Sequence, residues 1–414
     1  MASPPARPGA SPTQLTQHAF RESPPPTRRG RGFGLAAVVV LAGVGAVSCG
    51  SPQVVVRDAA VNNAPTVDVP TNPPTNPPTS PVAATGTRNV YAATMSGKLS
   101  PAVQGMPFRV YVPNSDGTTV SVIDPATFTV IDHLGVGRFP EHIAPAHDLS
   151  KLYVDNEGTW SLSVIDPTTA KLSGDLIPLP DPYNLYFTPD GTKAIVVQER
   201  LRRLEFRDPT TWKVIKDLPI SINGIDHLDF SADGKYFLIT TEYSGMVAKV
   251  DVDTMTVVGW VKVGGLPIDV RLSPDGTVFY IANQGRSGVS VVDGETLKEV
   301  QFINTGRGAH GLYVSRDTRS MYVSNRLEGT ISVIDMATRT AVTKWKVGGS
   351  PDMLQLNPDG TQLWMSSRYD ATVIVVDTAT GTVIKRIYSG SGDHGLCYFP
   401  APGNISLGHN GVYR

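Results

Sequence analysis

Short runs of alternating polar and apolar residues recur between about residue 105 and residue 400. The run at 330–335, Thr-Ile-Ser-Val-Ile-Asp, has the period of two that a β-strand with unlike faces requires. In the unit at 310–346, three turn segments separate four such runs. The pattern therefore predicts four short antiparallel strands in each unit.

The four-strand unit repeats with a period of about 42 residues. Asp-Gly pairs at 190–191, 233–234, 275–276 and 359–360 fall at one site of the repeat and supply the positive φ angles of tight hairpins. Four short strands cannot bury their faces alone, so neighbouring units must stack on one another. Equivalent positions of the repeat, 42 or 43 residues apart, hold His142, Asn184, His227, Asp269, Gly311, Met353 and Gly395.

The number of strands of each type predicts how the chain closes. The first strand of the unit and the Val-Ser-Val-Ile-Asp strand each occur seven times. The N-terminal unit at 108–134 has no clear first strand, whereas the C-terminal end has one, from His394 to Phe399, with little after it. We predict an all-β fold, a seven-bladed β-propeller of four-stranded antiparallel blades, with the ring closed by N- and C-terminal strands in one blade. Ring closure leaves no long open sheet edge.

Several second strands share a Tyr-Val-x-Asn pattern, which occurs at 111–114, 153–156 and 322–325, and with Ile in place of Val at 280–283. With the Val-Ser-Val-Ile-Asp strand that follows, the chain resembles the Tyr-Val-Thr-Asn (YVTN), or YncE-like, family of β-propellers over about residues 105–400. The resemblance implies a seven-bladed propeller and is nearly silent on activity. The unit at 184–225 departs from the pattern, with Ile-Val-Val-Gln in its second strand.

The N-terminus carries features of export. Residues 1–48 are interpreted as a signal segment, because three arginines at 28, 29 and 31 precede an apolar run at 34–48 that is too short to span a membrane comfortably. The run ends in Ala-Val-Ser-Cys, which resembles a bacterial lipobox and predicts lipidation of Cys49 and cleavage before it. An ordinary signal peptide or an uncleaved short anchor is the alternative. The arginine pair permits twin-arginine export as well as the general route.

Residues 49–104 are predicted to be a Pro/Thr-rich tether and lead-in, and residues 105–414 the propeller. A segment with this composition cannot bury enough apolar surface to order itself. Together these features predict an exported protein, anchored to a membrane through lipidated Cys49. The net charge is −1, so no nucleic-acid-binding surface is implied. The second of the two cysteines, Cys397, is interpreted as a small buried hydrophobic residue.

Histidine placement is the main candidate for chemistry. Four of the eight histidines, His142, His227, His310 and His394, lie where first strands begin, at the mouth of the central channel. They occupy two adjacent registers and have Glu141, Asp226, Asp352 and Asp269 nearby. Imidazole with carboxylate suits a transition metal such as zinc, copper or iron. The alternative is that these are polar strand ends lining a water-filled channel.

Charged residues in the loops after the second strands form a second candidate set. These loops are expected to open on the same face as the histidines. Charges that converge above a channel can orient an anionic or peptide ligand, and the residues are Glu199, Glu242, Arg326 and Arg368. The asparagines in the same loops are interpreted as caps of their own turns.

These observations leave three functions open. The first is a cell-envelope lipoprotein whose propeller binds a partner protein or a small ligand at the channel mouth. The second is a metal- or cofactor-dependent enzyme, oxidoreductase-like, that uses the histidine collar. The third is a lactonase-like hydrolase, suggested by fold analogy alone. The sequence of the propeller has no hydrolase elbow, phosphate loop or metal-protease motif, which weakens the enzyme hypotheses.

Overall fold

The computed structural model describes residues 89–174 and 176–414. The predicted signal segment at 1–48, most of the tether at 49–104 and the lipidation site Cys49 lie outside the described residues. In the described part of the chain, no helix is long and apolar enough to cross a membrane.

The strands of residues 89–174 and 176–414 form seven antiparallel sheets, which are the blades of a propeller. From the inner strand outward, they are Cys397–Phe399, Arg109–Asn114, Thr119–Asp124 and Thr129–Gly135 in blade 1; Pro140–Pro145, Leu152–Asn156, Ser161–Asp166 and the two short pieces Lys171–Leu172 and Ile177–Pro178 in blade 2; Asn184–Phe187, Ala194–Gln198, Arg203–Arg207 and Val214–Pro219 in blade 3; Ile225–Phe230, Tyr236–Thr241, Met246–Asp251 and Thr256–Lys262 in blade 4; Pro267–Leu272, Phe279–Asn283, Gly288–Asp293 and Lys298–Asn304 in blade 5; Ala309–Val314, Ser320–Asn325, Thr330–Asp335 and Thr340–Lys346 in blade 6; and Pro351–Leu356, Gln362–Ser367, Thr372–Asp377 and Val383–Tyr388 in blade 7. Short 3₁₀ turns cover Ala92–Thr94, Pro101–Val103, Glu157–Thr159, Glu242–Ser244 and Gln284–Arg286.

Blade 1 closes the ring as the sequence predicted. Its inner strand comes from the C-terminal end of the repeats and pairs with the first N-terminal strand, with Arg109 opposite Phe399 and Tyr111 opposite Cys397. Packing reinforces the closure, because Trp364 of blade 7 stacks on Phe128 of blade 1 with ring centroids 5.6 Å apart. The all-β, seven-bladed, four-stranded prediction is confirmed.

Inner and middle strands are buried, and outer strands alternate between exposed and half-buried positions. The inner strand Pro351–Leu356 is buried along its whole length, whereas the outer strand Thr340–Lys346 is not. This gradient follows from the stacking of blades, since the inner strands are covered on both faces and the outer strands on one. The polar residues at the inner strand ends are therefore buried together near the axis.

Residues 400–414 fill part of the channel, which the sequence did not predict. Leu407 accepts a hydrogen bond from the backbone of Phe187 at 3.0 Å, and the backbone N–H of Asn410 donates to Ile143 at 2.8 Å. The approach is close at Gly408, where a Cβ would lie 2.3 Å from the Leu185 carbonyl oxygen and φ is +94°. A residue with a side chain would not fit there. This C-terminal segment therefore runs against the inner strands of blades 2 and 3.

Residues 89–103 also pack on the propeller. The hydroxyl of buried Tyr91 donates to the Leu272 carbonyl at 2.9 Å, and Val90 donates to the Pro274 carbonyl at 2.9 Å. The Arg414 guanidinium lies over the Tyr91 ring, 4.4 Å from its centroid, and pairs with Asp229 at 2.7 Å. The lead-in and the C-terminal segment thus contact each other and the blades.

Candidate functional site

Irregular pairing at the start of the inner strands brings two consecutive residues of a blade to the channel. In blade 2 the register with the second strand shifts between Pro140 and Ile143, so Glu141 and His142 lie within the irregularity. The same shift occurs at the equivalent place in blades 4, 5, 6 and 7. Consecutive side chains of a regular strand point to opposite faces, whereas an irregularity of this kind re-aims them. Both Glu141 and His142 consequently contact His394 at the axis.

Three of the axial histidines form one compact group, which we call the histidine triangle: His142 of blade 2, His227 of blade 4 and His409 of the C-terminal segment. One ring nitrogen from each lies within 4.8 Å of those of the other two. The ring centroids are 5.3 Å apart for His142 and His227, 4.9 Å for His142 and His409, and 4.3 Å for His227 and His409. All three side chains are fully buried.

The two nitrogens of each ring in the triangle have different surroundings. Nδ1 of His409 lies 2.8 Å from Asn184 Oδ1, Nδ1 of His227 lies 3.0 Å from Asn184 Nδ2, and Nδ1 of His142 lies 3.1 Å from Asn410 Nδ2. The Nε2 atom of each ring has no hydrogen-bond partner among the described residues. Asparagine side chains thus lie at Nδ1 of all three rings. Asn184 Oδ1 accepts from His409 and fixes the proton of that ring on Nδ1, whereas the amide Nδ2 atoms at His227 and His142 are donors and favour a lone pair on Nδ1. A metal-ligating histidine donates its second ring N–H to an outer acceptor, as His409 does to Asn184.

Burial also sets the protonation state of the triangle. It lowers the pKa of His142, His227 and His409 well below the ordinary 6.5, and a neighbouring imidazole lowers each pKa further. All three rings are therefore neutral at pH 7, which is the form that binds a metal ion.

The other two predicted histidines belong to a second group, the ion-pair cluster, made of Glu141, His310, Arg326, Asp352, Arg368 and His394. His310 Nδ1 lies 2.8 Å from Asp352 Oδ1, and Arg326 Nη2 contacts both His310 Nε2 and Asp352 Oδ1. His394 Nδ1 contacts Glu141 Oε2. The two groups touch where the rings of His142 and His394 lie 4.5 Å apart.

The charges of the ion-pair cluster make it a poorer cation site than the triangle. One atom each from His310, Asp352 and His394 lie within 4.8 Å of one another, as metal ligands would. The guanidinium of Arg326 contacts two of these three residues, and its positive charge would repel a metal ion. Burial opposes ionisation of Asp352, but Arg326 together with His310 and His394 outweighs it and holds the pKa of that carboxyl well below its usual range. Arg326 thus occupies the place of a cation beside Asp352.

The remaining predicted acids lie in different places. Asp226 Oδ1 is 3.1 Å from His227 Nε2, at the edge of the triangle, in a geometry that makes no hydrogen bond. Asp269 does not contact the histidine groups: it pairs with Arg271 at 2.8 Å and accepts the backbone N–H of Leu312 at 2.8 Å. Asp269 therefore links neighbouring blades. The structure divides the four predicted histidines between two groups and brings Glu141, Asp226 and Asp352 to them.

A ring of side chains lies above these groups, at the first position after each second strand; we call it the channel rim. It stands at the histidine end of the channel, because Pro140 pairs with Asn156 and Pro351 with Ser367 across their hairpins. From blade 1 to blade 7, the rim residues are Ser115, Glu157, Glu199, Glu242, Gln284, Arg326 and Arg368. Three consecutive blades are acidic there, and two consecutive blades are basic.

Burial raises the pKa values of the acidic rim residues, and neighbouring carboxyls add to the shift for Glu157 and Glu199. Burial, followed by the charge of neighbouring carboxyls, raises the pKa of Glu199 to about 7. Burial raises the pKa of Glu157 to about 8, although Arg200 pairs with it at 2.6 Å. Burial raises the pKa of Glu242 as well, and the charges of Arg326 and Arg368 oppose that shift. The asparagines that precede the rim bond within their own hairpins; Asn114 Nδ2, for example, donates to Thr119 at 2.8 Å.

Sequence reasoning did not place His409 at the site. This histidine lies beyond the last repeat, so no equivalent position in other blades points to it. A signal was present in the stretch at 403–413, which mixes glycine with Ile405, Leu407, Val412 and Tyr413. Such apolar content after a closed ring requires a place to bury it. The close fit of this stretch is visible at Gly395, where a Cβ would lie 2.5 Å from Asn410 Oδ1.

Comparison with known proteins identifies the fold. A family model described as YNCE-like beta-propeller matches residues 96–401. No curated protein matches the chain.

Solved structures resemble this chain over the propeller. A functionally unknown protein from Desulfotomaculum acetoxidans has a TM-score of 0.62 and 17% identity, covering 70% of this chain and 98% of its own. Hydrazine synthase from Kuenenia stuttgartiensis has a TM-score of 0.58 and 18% identity, covering 72% and 99%. Dihydro-heme d1 dehydrogenase NirN, in complex with DHE, has a TM-score of 0.56 and 17% identity, covering 72% and 75%. At these identities the likeness concerns the fold alone.

Proposed function

The chain belongs to the YNCE-like β-propeller family, and on that premise we propose that it binds a transition-metal ion at the propeller axis and a small ligand at the channel mouth above it. The metal ligands are Nε2 of His142, His227 and His409. Zinc, copper and iron are the candidate metals, since three imidazoles with an open position suit each of them. The predicted ligand-binding role is kept, and the proposed metal centre lies below the ligand at the propeller axis.

One observation carries the metal proposal: three fully buried imidazoles each have Nε2 without a hydrogen-bond partner among the described residues. Burying a polar nitrogen without a partner is unfavourable, and coordination to a metal ion would remove that cost. Asn184 and Tyr186 favour this arrangement. Ligation through Nε2 requires the proton on Nδ1 of each ring, and Asn184 Oδ1 accepts it from His409. The Tyr186 hydroxyl, 3.4 Å from His227 Nδ1, and Asn410 Oδ1, 3.4 Å from His142 Nδ1, are the acceptors for the other two rings once the metal ion selects that tautomer.

Metal analysis tests this proposal directly. The full chain, purified without an affinity tag and dialysed against zinc or copper, is expected to retain about one metal ion per chain, as measured by mass spectrometry of the elements. His409→Ala is expected to lose that ion while its circular dichroism stays unchanged. His133→Ala is the matched control, because His133 lies in the outer strand of blade 1. A folded wild-type protein without stoichiometric metal would refute the metal centre.

The cellular address is a separate proposal. The lipobox-like end of the apolar run at 34–48 supports anchoring through Cys49 on the outer side of a cytoplasmic membrane or in the periplasm. Cys49→Ala is expected to move the protein to the soluble or precursor fraction and to remove the mass of the lipid. Unchanged membrane partitioning together with unchanged mass would exclude lipidation.

The enzyme hypotheses gain different support. An oxidoreductase-like activity remains compatible with a histidine-bound metal and depends on which metal is bound. The lactonase-like activity rests on fold analogy alone. Binding of metal and ligand is therefore the function that the side chains favour.

A further inference from the structure

The channel rim has two charged arcs that face each other. Glu199 and Glu242 belong to blades 3 and 4, and Arg326 and Arg368 belong to blades 6 and 7. In a ring of seven blades, blade 6 lies across the axis from blades 2 and 3, and blade 7 lies across from blades 3 and 4. Arg326 and Arg368 act on the Glu242 carboxyl electrostatically, yet no ion pair joins the two arcs in the described part of the chain. Opposite charges therefore remain separated by the width of the mouth.

In the basic arc, Arg326 and Arg368 have guanidinium N–H groups without an acceptor among the described residues. The Arg368 side chain is 25% exposed, its nearest carboxylate oxygen is Glu141 Oε2 at 3.6 Å, and its guanidinium donates no hydrogen bond to any described residue. Arg326 Nε is buried and likewise lacks a partner within the described residues. Guanidinium donors without acceptors are costly when buried, and an oxyanion satisfies them in pairs. The arc is thus suited to a carboxylate.

The acidic arc lacks a cation. Neither Glu199 nor Glu242 has a salt bridge to a described residue, whereas the neighbouring Glu157 pairs with Arg200. Burial, followed by the charge of neighbouring carboxyls, disfavours ionisation of Glu199 and raises its pKa to about 7. An ammonium group placed between them would relieve that repulsion.

An exposed tyrosine follows the rim residue on each side of the mouth. Tyr243, next to Glu242, is 63% exposed, and Tyr369, next to Arg368, is 70% exposed. The Tyr369 ring also lies 5.9 Å from the Arg326 guanidinium. Exposed tyrosine rings supply contact area for the organic body of a small ligand.

We propose that the channel mouth binds a small zwitterion of the amino-acid type, with its ammonium group at Glu199 and Glu242 and its carboxylate at Arg326 and Arg368. The inference rests on the proposed function and deepens it, because it names the class of ligand that the mouth takes. Recognition needs both charges on one molecule. A ligand with one charge satisfies one arc and leaves the other as it was.

Calorimetric titration of the full chain tests the inference. The probes are a homologous series of unbranched ω-amino acids, each compared with the n-alkylamine and the n-alkanoate of the same chain length. The measurement is made at about pH 8.5, where the ammonium group is still charged. We expect an optimal chain length at which the zwitterion binds about tenfold tighter, or more, than either half-ligand.

Substitutions assign each charge to its arc. Arg368→Gln is expected to reduce the affinity for the zwitterion to that for the alkylamine and to leave alkylamine binding unchanged. Glu242→Gln is expected to reduce it to that for the alkanoate. Gln284→Ala is the matched control, because Gln284 occupies the neutral rim position of blade 5. Arg368 is the better basic target, since Arg326 is needed by buried Asp352.

Metal content measured on the same samples separates the two proposals. Equal affinity for the zwitterion and its half-ligands, with metal still bound, overturns the inference and leaves the metal centre standing. A zwitterion preference that persists in His409→Ala after metal is lost supports the rim site by itself. Loss of the preference in Gln284→Ala to the same extent as in Arg368→Gln would also overturn the inference.

Discussion

The histidine triangle and the ion-pair cluster lie side by side at one end of the channel, and their imidazoles have different partners. In the triangle, asparagine amides hold Nδ1 and leave Nε2 without a partner among the described residues. In the cluster, the rings of His310 and His394 contact Asp352 and Glu141, and two arginines supply positive charge. The contact between His142 and His394, at 4.5 Å, joins the two groups.

The neighbours of a buried histidine, more than its residue type, decide what the ring can do. A neutral ring that donates Nδ1–H to an amide oxygen, as His409 does to Asn184, presents the lone pair of Nε2 to a metal ion. A ring between a carboxylate and a guanidinium, such as that of His310, has a charged group of the protein against each of its nitrogens. We therefore expect changes in the triangle to alter metal binding, and changes in the cluster to alter stability.

The largest difference is expected in metal affinity. The double variant His142→Ala with His227→Ala should weaken zinc or copper binding by about a hundredfold or more, since it removes two of three ligands. The double variant His310→Ala with His394→Ala should stay within about threefold of the wild type. Competition with a chromophoric chelator measures both. A shared site of His142, His227, His310 and His394, as the sequence suggested, would require both pairs to lose binding equally.

Asp226 and Asp352 occupy equivalent positions of the repeat, one beside the histidine triangle and one in the ion-pair cluster. Their substitution by asparagine should change the free energy of unfolding by different amounts. Asp352→Asn leaves Arg326 without its buried partner and should lower the free energy of unfolding by about 3 kcal/mol or more. Asp226→Asn changes a buried carboxyl that contacts no arginine, so the metal-free protein should change by less than about 1 kcal/mol. Urea denaturation of both metal-free variants measures the difference. Equal losses would mean that the arginines do not distinguish the two sides of the channel.

The contribution of Glu199 to the free energy of unfolding should fall as the pH rises, which is the opposite of what a salt-bridged surface carboxylate gives. The pKa of Glu199 is raised from 4.5 to about 7 by burial and by Glu242 and Asp181, with Glu141 adding to the shift and Arg200 opposing it. The stability associated with its protonated form is therefore present below about pH 4.5 and is lost as pH rises through about 7.

Glu199→Gln should remove this loss. The variant should match the wild type near pH 4.5 and exceed its free energy of unfolding by about 1 kcal/mol at pH 8, a figure reduced for the half-exposed position of the side chain. Denaturation midpoints measured across that range test the prediction. A difference between the two proteins that does not change with pH would contradict it.

The smallest change in stability and metal affinity is expected for His133, which belongs to neither histidine group. His133→Ala removes a ring whose Nδ1 lies 3.1 Å from the Ser121 hydroxyl in an outer strand. The free energy of unfolding should change by no more than about 0.5 kcal/mol, and metal affinity should stay as in the wild type. Loss of metal in this variant would show that binding is not confined to the axis.

The amino-acid sequence by itself determined the blades and their closure. Strand alternation, Asp-Gly turns and the 42-residue repeat are local signals. The incomplete first and last units predicted that the strand at 394–399 pairs with the unit at 108–134, and the structure sets Arg109 opposite Phe399 in that pairing. The repeat also placed His142, His227, His310 and His394 near one end of the channel, because equivalent positions of a ring must lie at the same height.

Only the tertiary structure decided which of these side chains meet. Equivalence within a repeat cannot distinguish blades, so it could not separate the partners of His227 from those of His310. The irregular strand starts that turn Glu141 and His142 to the same channel leave no trace in residue periodicity. His409 enters from a segment outside the repeat, and its place depends on the buried fit of residues 400–414 against blades 2 and 3. Local pattern sets the symmetric frame, whereas long-range packing breaks the symmetry and assigns each histidine its neighbours.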